Sequence, residues 1–105
     1  MSSIEIQDYL HLYSMFSFKD GRKEPGILIN KYNLIKAEIE YFFVSQFHMQ
    51  AYKTAFEKYD KESCNRLAEV VNIENLVSIR PVSLRDYKLI MELLHERNEQ
   101  LNSIR

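Results

Sequence analysis

Between Gly26 and Pro81 the chain carries neither glycine nor proline, while both glycines and the other proline crowd into Asp20-Gly21-Arg22-Lys23-Glu24-Pro25-Gly26. Proline removes a backbone donor and turns its preceding residue away from helix, and glycine supplies positive φ cheaply. The breakers therefore cut the chain into segments 1–19, 27–79 and 82–105. The long middle one has to be built without the residues that most often turn a chain.

In that segment Leu28, Tyr32, Ile35, Ile39, Phe42, Gln46, Met49, Lys53 and Phe56 recur at alternating spacings of three and four, which predicts a helix from about residue 30 to 59. A second stripe, Leu34, Ala37, Tyr41, Val44, His48, Ala51, Ala55 and Tyr59, runs along nearly the opposite side. A helix apolar on two sides is central to its fold or lies at a subunit interface. The candidate interface residues are accordingly Tyr41, Val44, His48, Tyr52, Ala55 and Tyr59.

The last segment opens on Pro81-Val82-Ser83. Ser83 is placed to cap a helix, and Asp86 suits its positive dipole end. Leu84, Tyr87, Met91, Leu94, Asn98 and Leu101 then form a coiled-coil-like stripe from about residue 84 to 104. Gln46 and Asn98 are the polar interruptions of their stripes, and buried amides at such positions fix register and partner number in coiled coils.

Elsewhere the pattern is weaker. Ser2 and Glu5 stand in capping-box register, with Ile6, Tyr9, Leu10, Tyr13 and Phe16 on one face of a helix from Ser3 to about Phe16. A short β-hairpin near 15–29 competes with its end, pairing Met15–Lys19 with Ile27–Ile29 across the glycine-rich turn. Residues 60–79 support one or two short helices, with Asp60, Ser63 and Asn72 as candidate caps.

Fourteen basic and fifteen acidic side chains alternate to a net charge of −1. No strong field for nucleic acid or membrane follows from that balance. The N-terminus has no leader-like pattern, the longest apolar run is Tyr41–Val44, and the single Cys64 closes no internal disulfide. A cytoplasmic chain with no membrane span is expected.

Constellations that carry chemistry are sparse. Glu92-Leu93-Leu94-His95 has the Glu-x-x-His spacing of metal-binding bundles, but Glu92 points away from the apolar stripe and a di-metal site needs a second such pair. His48 is expected as a satisfied interface histidine, and His11 has no evident partner. Cys64 has Arg66 nearby but no nucleophile signature around it. Lys19, Arg22 and Lys23 are offset by Asp20 and Glu24, as in a solvated turn.

The stretch Asn65-Arg66-Leu67-Ala68-Glu69-Val70-Val71-Asn72 resembles the Leu-Ala-x-x-x-Gly-Val opening of bacterial repressor helix-turn-helix units, with Asn72 at the turn. That resemblance implies a recognition helix within about 65–79. It covers about a dozen residues; the expected apolar anchor falls on Ser78, and no basic residue precedes Arg80 in the recognition segment.

The reading that follows is an all-α domain over 1–105: a small bundle of three to five helices around the long central helix and the C-terminal one. The expected function is a non-enzymatic protein–protein interaction module (adaptor, regulator or complex subunit) that acts through an aromatic-rich helix face and self-associates as a homodimer. It would use no cofactor and no metal. A DNA-binding regulator using 65–79 and a metal-binding bundle using Glu92 and His95 are the alternatives.

Overall fold

A computed structural model describes the backbone of residues 1–103 and the side chains of residues 1–95. It overturns the all-α bundle. The strands are β1 (Ser14–Phe18), β2 (Lys23–Asn33), β3 (Glu38–Ser45), β4 (Glu69–Val71) and β5 (Leu76–Pro81), joined in one antiparallel sheet of order β4-β3-β2-β1-β5. Four helices accompany it: α1 (Ser3–Ile6), α2 (Met49–Glu57), α3 (Lys61–Leu67) and α4 (Leu84–Ser103).

The central helix expected over 30–59 is the end of β2, a reversal, β3, a 3₁₀ turn at Gln46–His48 and then α2. Ile39, Tyr41, Phe42, Phe43 and Val44 are the β-branched and aromatic types that fit a pleated, half-buried surface. The reversal does without glycine. The Asn33 Oδ1 accepts the backbone amides of Ile35 and Lys36, each at 3.0 Å, and Ala37 closes the turn at φ 52°. Asparagine side chains mimic a backbone turn in this way.

The opening segment also departs from expectation. Helix ends at Ile6, with Ser2 Oγ accepting the Glu5 amide at 3.2 Å, and a 3₁₀ turn Gln7–Tyr9 follows. His11, at φ 65°, donates its amide to the Leu28 carbonyl at 2.9 Å and leads the chain into β1. A hairpin does span the glycine-rich turn, but β1 pairs with residues 23–26, from Ser14↔Gly26 to Ser17↔Lys23, and not with 27–29.

The sheet cannot be flat. Its edge strands β4 and β5 would stand about 19 Å apart in a flat five-stranded sheet. They are joined only by Asn72 and a 3₁₀ turn, Ile73–Asn75, a link that reaches on the order of 10 Å. The strands therefore curl into a partly closed barrel.

One end of it is fastened by Arg22, whose Nη1 and Nη2 donate to the two Glu69 carboxylate oxygens at 3.1 and 3.2 Å, with the guanidinium 4.1 Å from the centroid of the Phe18 ring. The Lys19 amide donates to the Asn75 carbonyl beside it. Inside lie Ile6, Phe16, Phe18, Leu28, Phe43, Val71, Leu76 and Ile79. Phe43 meets Phe16 and Phe18 edge-on, at centroid distances of 5.0 and 5.5 Å.

Gly26 lies where β2 pairs with both neighbours, opposite Ser14 and Ser45. A Cβ there would sit 2.3 Å from the Val44 carbonyl oxygen and 2.7 Å from the Phe43 ring, so the close approach of the strands requires glycine.

The repressor-like stretch is no helix-turn-helix. Residues 65–79 are the end of α3, β4, the 3₁₀ turn and most of β5. Asn72 caps that turn through the Glu74 amide at 3.0 Å, which explains the polar residue there without DNA. The C-terminal helix does run from Leu84 to Ser103. Ser83 Oγ accepts the Asp86 amide at 3.1 Å, and Arg80, at the end of β5, donates to Asp86 Oδ2 at 2.7 Å.

A candidate binding cleft outside the barrel

Alternation along β2 and β3 sends Leu28 and Phe43 into the barrel and Ile27, Ile29 and Val44 to its outer face. That outer face is where α2 and α4 lie. Between them is an open cleft of about 1020 Å³, at the upper end of the range for ligand sites. Its floor is Ile27, Ile29 and Val44, one wall is Met49, Tyr52 and Phe56 of α2, and the other is Met91 and Leu94 of α4.

Local structure sets each wall. Ser45 Oγ donates to Glu24 Oε1 at 2.5 Å and accepts the Phe47 amide at 3.3 Å, turning the chain from β3 into the 3₁₀ turn that precedes α2. Ala55 is buried on the side of α2 that packs toward α3, as is Cys64 of α3. Tyr59 at φ 57° reverses the chain, and Asp60 caps α3 by accepting the Ser63 amide at 3.1 Å and its hydroxyl at 2.6 Å. Those two bonds hold the Asp60 carboxyl below its ordinary pKa. Burial raises the Tyr52 phenol, with the Cys64 thiol adding to the shift. Tyr52 is therefore a neutral, apolar-bodied wall with a polar tip.

The rim is one-sided in charge. Lys31 and Lys53 carry that charge, His11, His95, Asn30, Gln46 and Gln50 line the rim beside them, and among the described residues no carboxylate does. Lys31 Nζ sits 5.1 Å from the centroid of the Phe42 ring, which holds its charge beside the floor. Apolar walls under a cationic rim take up apolar surface that carries negative charge. A smaller cavity of about 390 Å³ lies over the barrel end, where Arg22 and Glu69 pair with each other.

Of the interface residues expected from sequence, Val44, Gln46 and Tyr52 come together in this cleft. Tyr41 packs against the barrel core, Ala55 is buried under α2, and His48 and Tyr59 are exposed away from it. The side chain of Asn98 lies outside the described residues. Gln46 interrupts no helical stripe; it sits in the 3₁₀ turn at the cleft edge.

Glu92 and His95 are both exposed, with His95 on the rim and Glu92 outside the cleft lining. No group of three metal-ligating side chains gathers among the described residues. Sequence reasoning missed Ile27, Ile29 and His11 as site residues. The Ile27-Leu28-Ile29 run next to the breaker cluster was the available signal for an outward-facing strand.

Comparison with family models, curated proteins and solved structures gives no match for this chain. No described helix is long and apolar enough to cross a membrane.

Proposed function

We propose that this chain is a protein–protein interaction module whose cleft receives an apolar, carboxylate-bearing segment of a protein partner. The observation that carries the reading is the cleft itself: a 1020 Å³ apolar trough with two lysines and two histidines on its rim and no acid among its described lining residues. Interaction surfaces draw their affinity from a few aromatic and long apolar anchors in a desolvated centre, with charge at the rim steering the partner. Met49, Tyr52, Phe56 and Met91 supply such anchors. The barrel supplies a rigid floor for them, because β2 and β3 pair continuously beneath.

Methionine methyl resonances provide the test. Met49 and Met91 line the cleft, whereas Met15 is buried in β1. Titration with a synthetic peptide of alternating isoleucine and glutamate is expected to move the Met49 and Met91 signals and leave Met15 still. Phe56→Asp, a change at an exposed position on α2, is expected to abolish the shifts. Unmoved Met49 and Met91 signals at millimolar peptide, in the wild-type chain and in Ile35→Asp alike, would refute the reading.

A further inference from the structure

Beyond the barrel, β2 and β3 continue as a two-stranded ribbon. Pairing runs unbroken from Gly26↔Ser45 to Asn33↔Glu38, whereas β1 stops its pairing with β2 at Gly26 and β4 covers β3 only at Tyr41–Phe43. From Asn30 to the tip is about 15 Å at the rise of a strand. Tyr32 and Ile39 face each other across the ribbon, both more than half exposed, and the tip residues Leu34 and Ile35 are 85% and 97% exposed.

The tip is built, not loose. Asn33 fixes the turn through the Ile35 and Lys36 amides, and its Nδ2 donates to Glu40. A structured apolar projection of this kind calls for a covering surface.

We propose that the cleft is filled by the ribbon tip of a second copy of this chain, exchanged reciprocally across a twofold axis; the inference rests on the reading of the cleft as a protein-binding site. Three observations favour this occupant. First, the ribbon cannot fill its own cleft: its continuous pairing carries the tip away from Ile29 and Lys31, which line the cleft at the ribbon's base.

Second, the chemistry matches. Glu38 and Glu40 flank Ile39 on the ribbon, and the cleft carries the cation Lys53 among its apolar walls. Third, the size suffices. Four exposed side chains of on the order of 150 Å² each, seated twice by symmetry and matched by cleft surface, reach the ~1,600 Å² of a standard stable interface. In a twofold pair every such contact is made twice, so one chain can supply both halves.

The test combines mass with position. Light scattering behind a sizing column is expected to give a dimer for the wild-type chain, and monomers for Ile35→Asp and Phe56→Asp at concentrations tenfold above those that dimerise the wild type. Circular dichroism of both variants should match the wild type, since both positions are exposed. With p-benzoylphenylalanine at position 35, irradiation is expected to join two chains through Met49 or Met91. A wild-type monomer at 1 mM (~12.6 mg/ml at 12.6 kDa) would overturn the exchange, as would a dimer that survives Ile35→Asp or cross-links elsewhere. If the Ile-Glu peptide still moves Met49 and Met91 in that case, the cleft reading stands while the exchange fails; if it does not, both fail.

Discussion

The same two strands live in two environments. At Leu28 and Phe43, opposite one another, the inner face of β2 and β3 is fully buried. Four residues further along each strand, on that same face, Tyr32 and Ile39 lie opposite one another in solvent. Composition does not change between the two pairs; what changes is whether β1, β5 and α1 reach across to cover them. Apolar residues in the barrel are explained by the fold of one chain. Those in the ribbon are left uncovered by that fold, and it is these that the proposed second copy accounts for.

The strongest way to break this contrast is to delete an apolar side chain from each half. Phe43 is wedged between Phe16 and Phe18 at the barrel centre. Phe43→Ala removes both edge-on contacts and leaves a cavity, which costs about 3–5 kcal/mol, a large part of the ~5–15 kcal/mol that holds a domain folded. Ile35→Ser at the ribbon tip is expected to change stability by less than about 0.5 kcal/mol when measured at a concentration where the chain is monomeric. Urea denaturation of the two variants checks both halves. Equal losses would mean that the ribbon is part of the monomer's own stability, and the argument for an external partner would lapse.

That contrast also explains why the sequence misleads. A helix and a strand share one spacing: residues four apart lie on one face of either. Leu28 and Tyr32 satisfy both readings. The three-residue steps from Tyr32 to Ile35 and from Ile39 to Phe42 then mimic helix, though the first enters the turn and the second crosses to the other face of β3.

The expected punctuation was absent because Asn33 and Ala37 make the reversal. Where local chemistry decides the element, the sequence is readable: Ser83 and Asp86 begin α4, Asp60 begins α3, and the glycine cluster turns β1 into β2. The cleft is not readable this way. Its floor, walls and rim come from segments around residues 11, 27–31, 44–56 and 91–95, and only the curl of the sheet brings them together.

A smaller effect sharpens the contrast at the ribbon's end. Ala37 holds φ 52°, a conformation that costs a non-glycine residue ~1–2 kcal/mol. Glycine relieves that but loses ~0.5–1 kcal/mol of extra backbone entropy on folding, so Ala37→Gly is expected to stabilise the chain by about 0.5 kcal/mol. Ala55→Gly, at the buried position of α2, is expected to destabilise by ~1 kcal/mol. Thermal melts of the pair check the signs. A destabilising Ala37→Gly would mean that the methyl group packs against something and that the turn is not held by Asn33 alone.

The smallest expected effect concerns the grip of the barrel on α4. Arg80 at the end of β5 bonds Asp86, and with the Ser83 hydroxyl it lowers the carboxyl from 3.8 to about 2. A carboxyl lowered on folding stabilises the fold fully above its unfolded pKa, and that contribution fades as pH falls from about 4 through 2.

Arg80 is exposed and Asp86 is partly so, so salt screens the pair and the effect is modest. Wild type and Asp86→Asn should therefore differ in melting temperature at pH 7 and converge toward pH 2, with the difference at pH 7 reduced by high salt. Because α4 carries Met91 and Leu94 of the cleft wall, the same variant tests whether that wall depends on this anchor. A gap that persists unchanged to pH 2 would mean that the charge of Asp86 is not its source, and the ion pair with Arg80 would have no part in holding the cleft together.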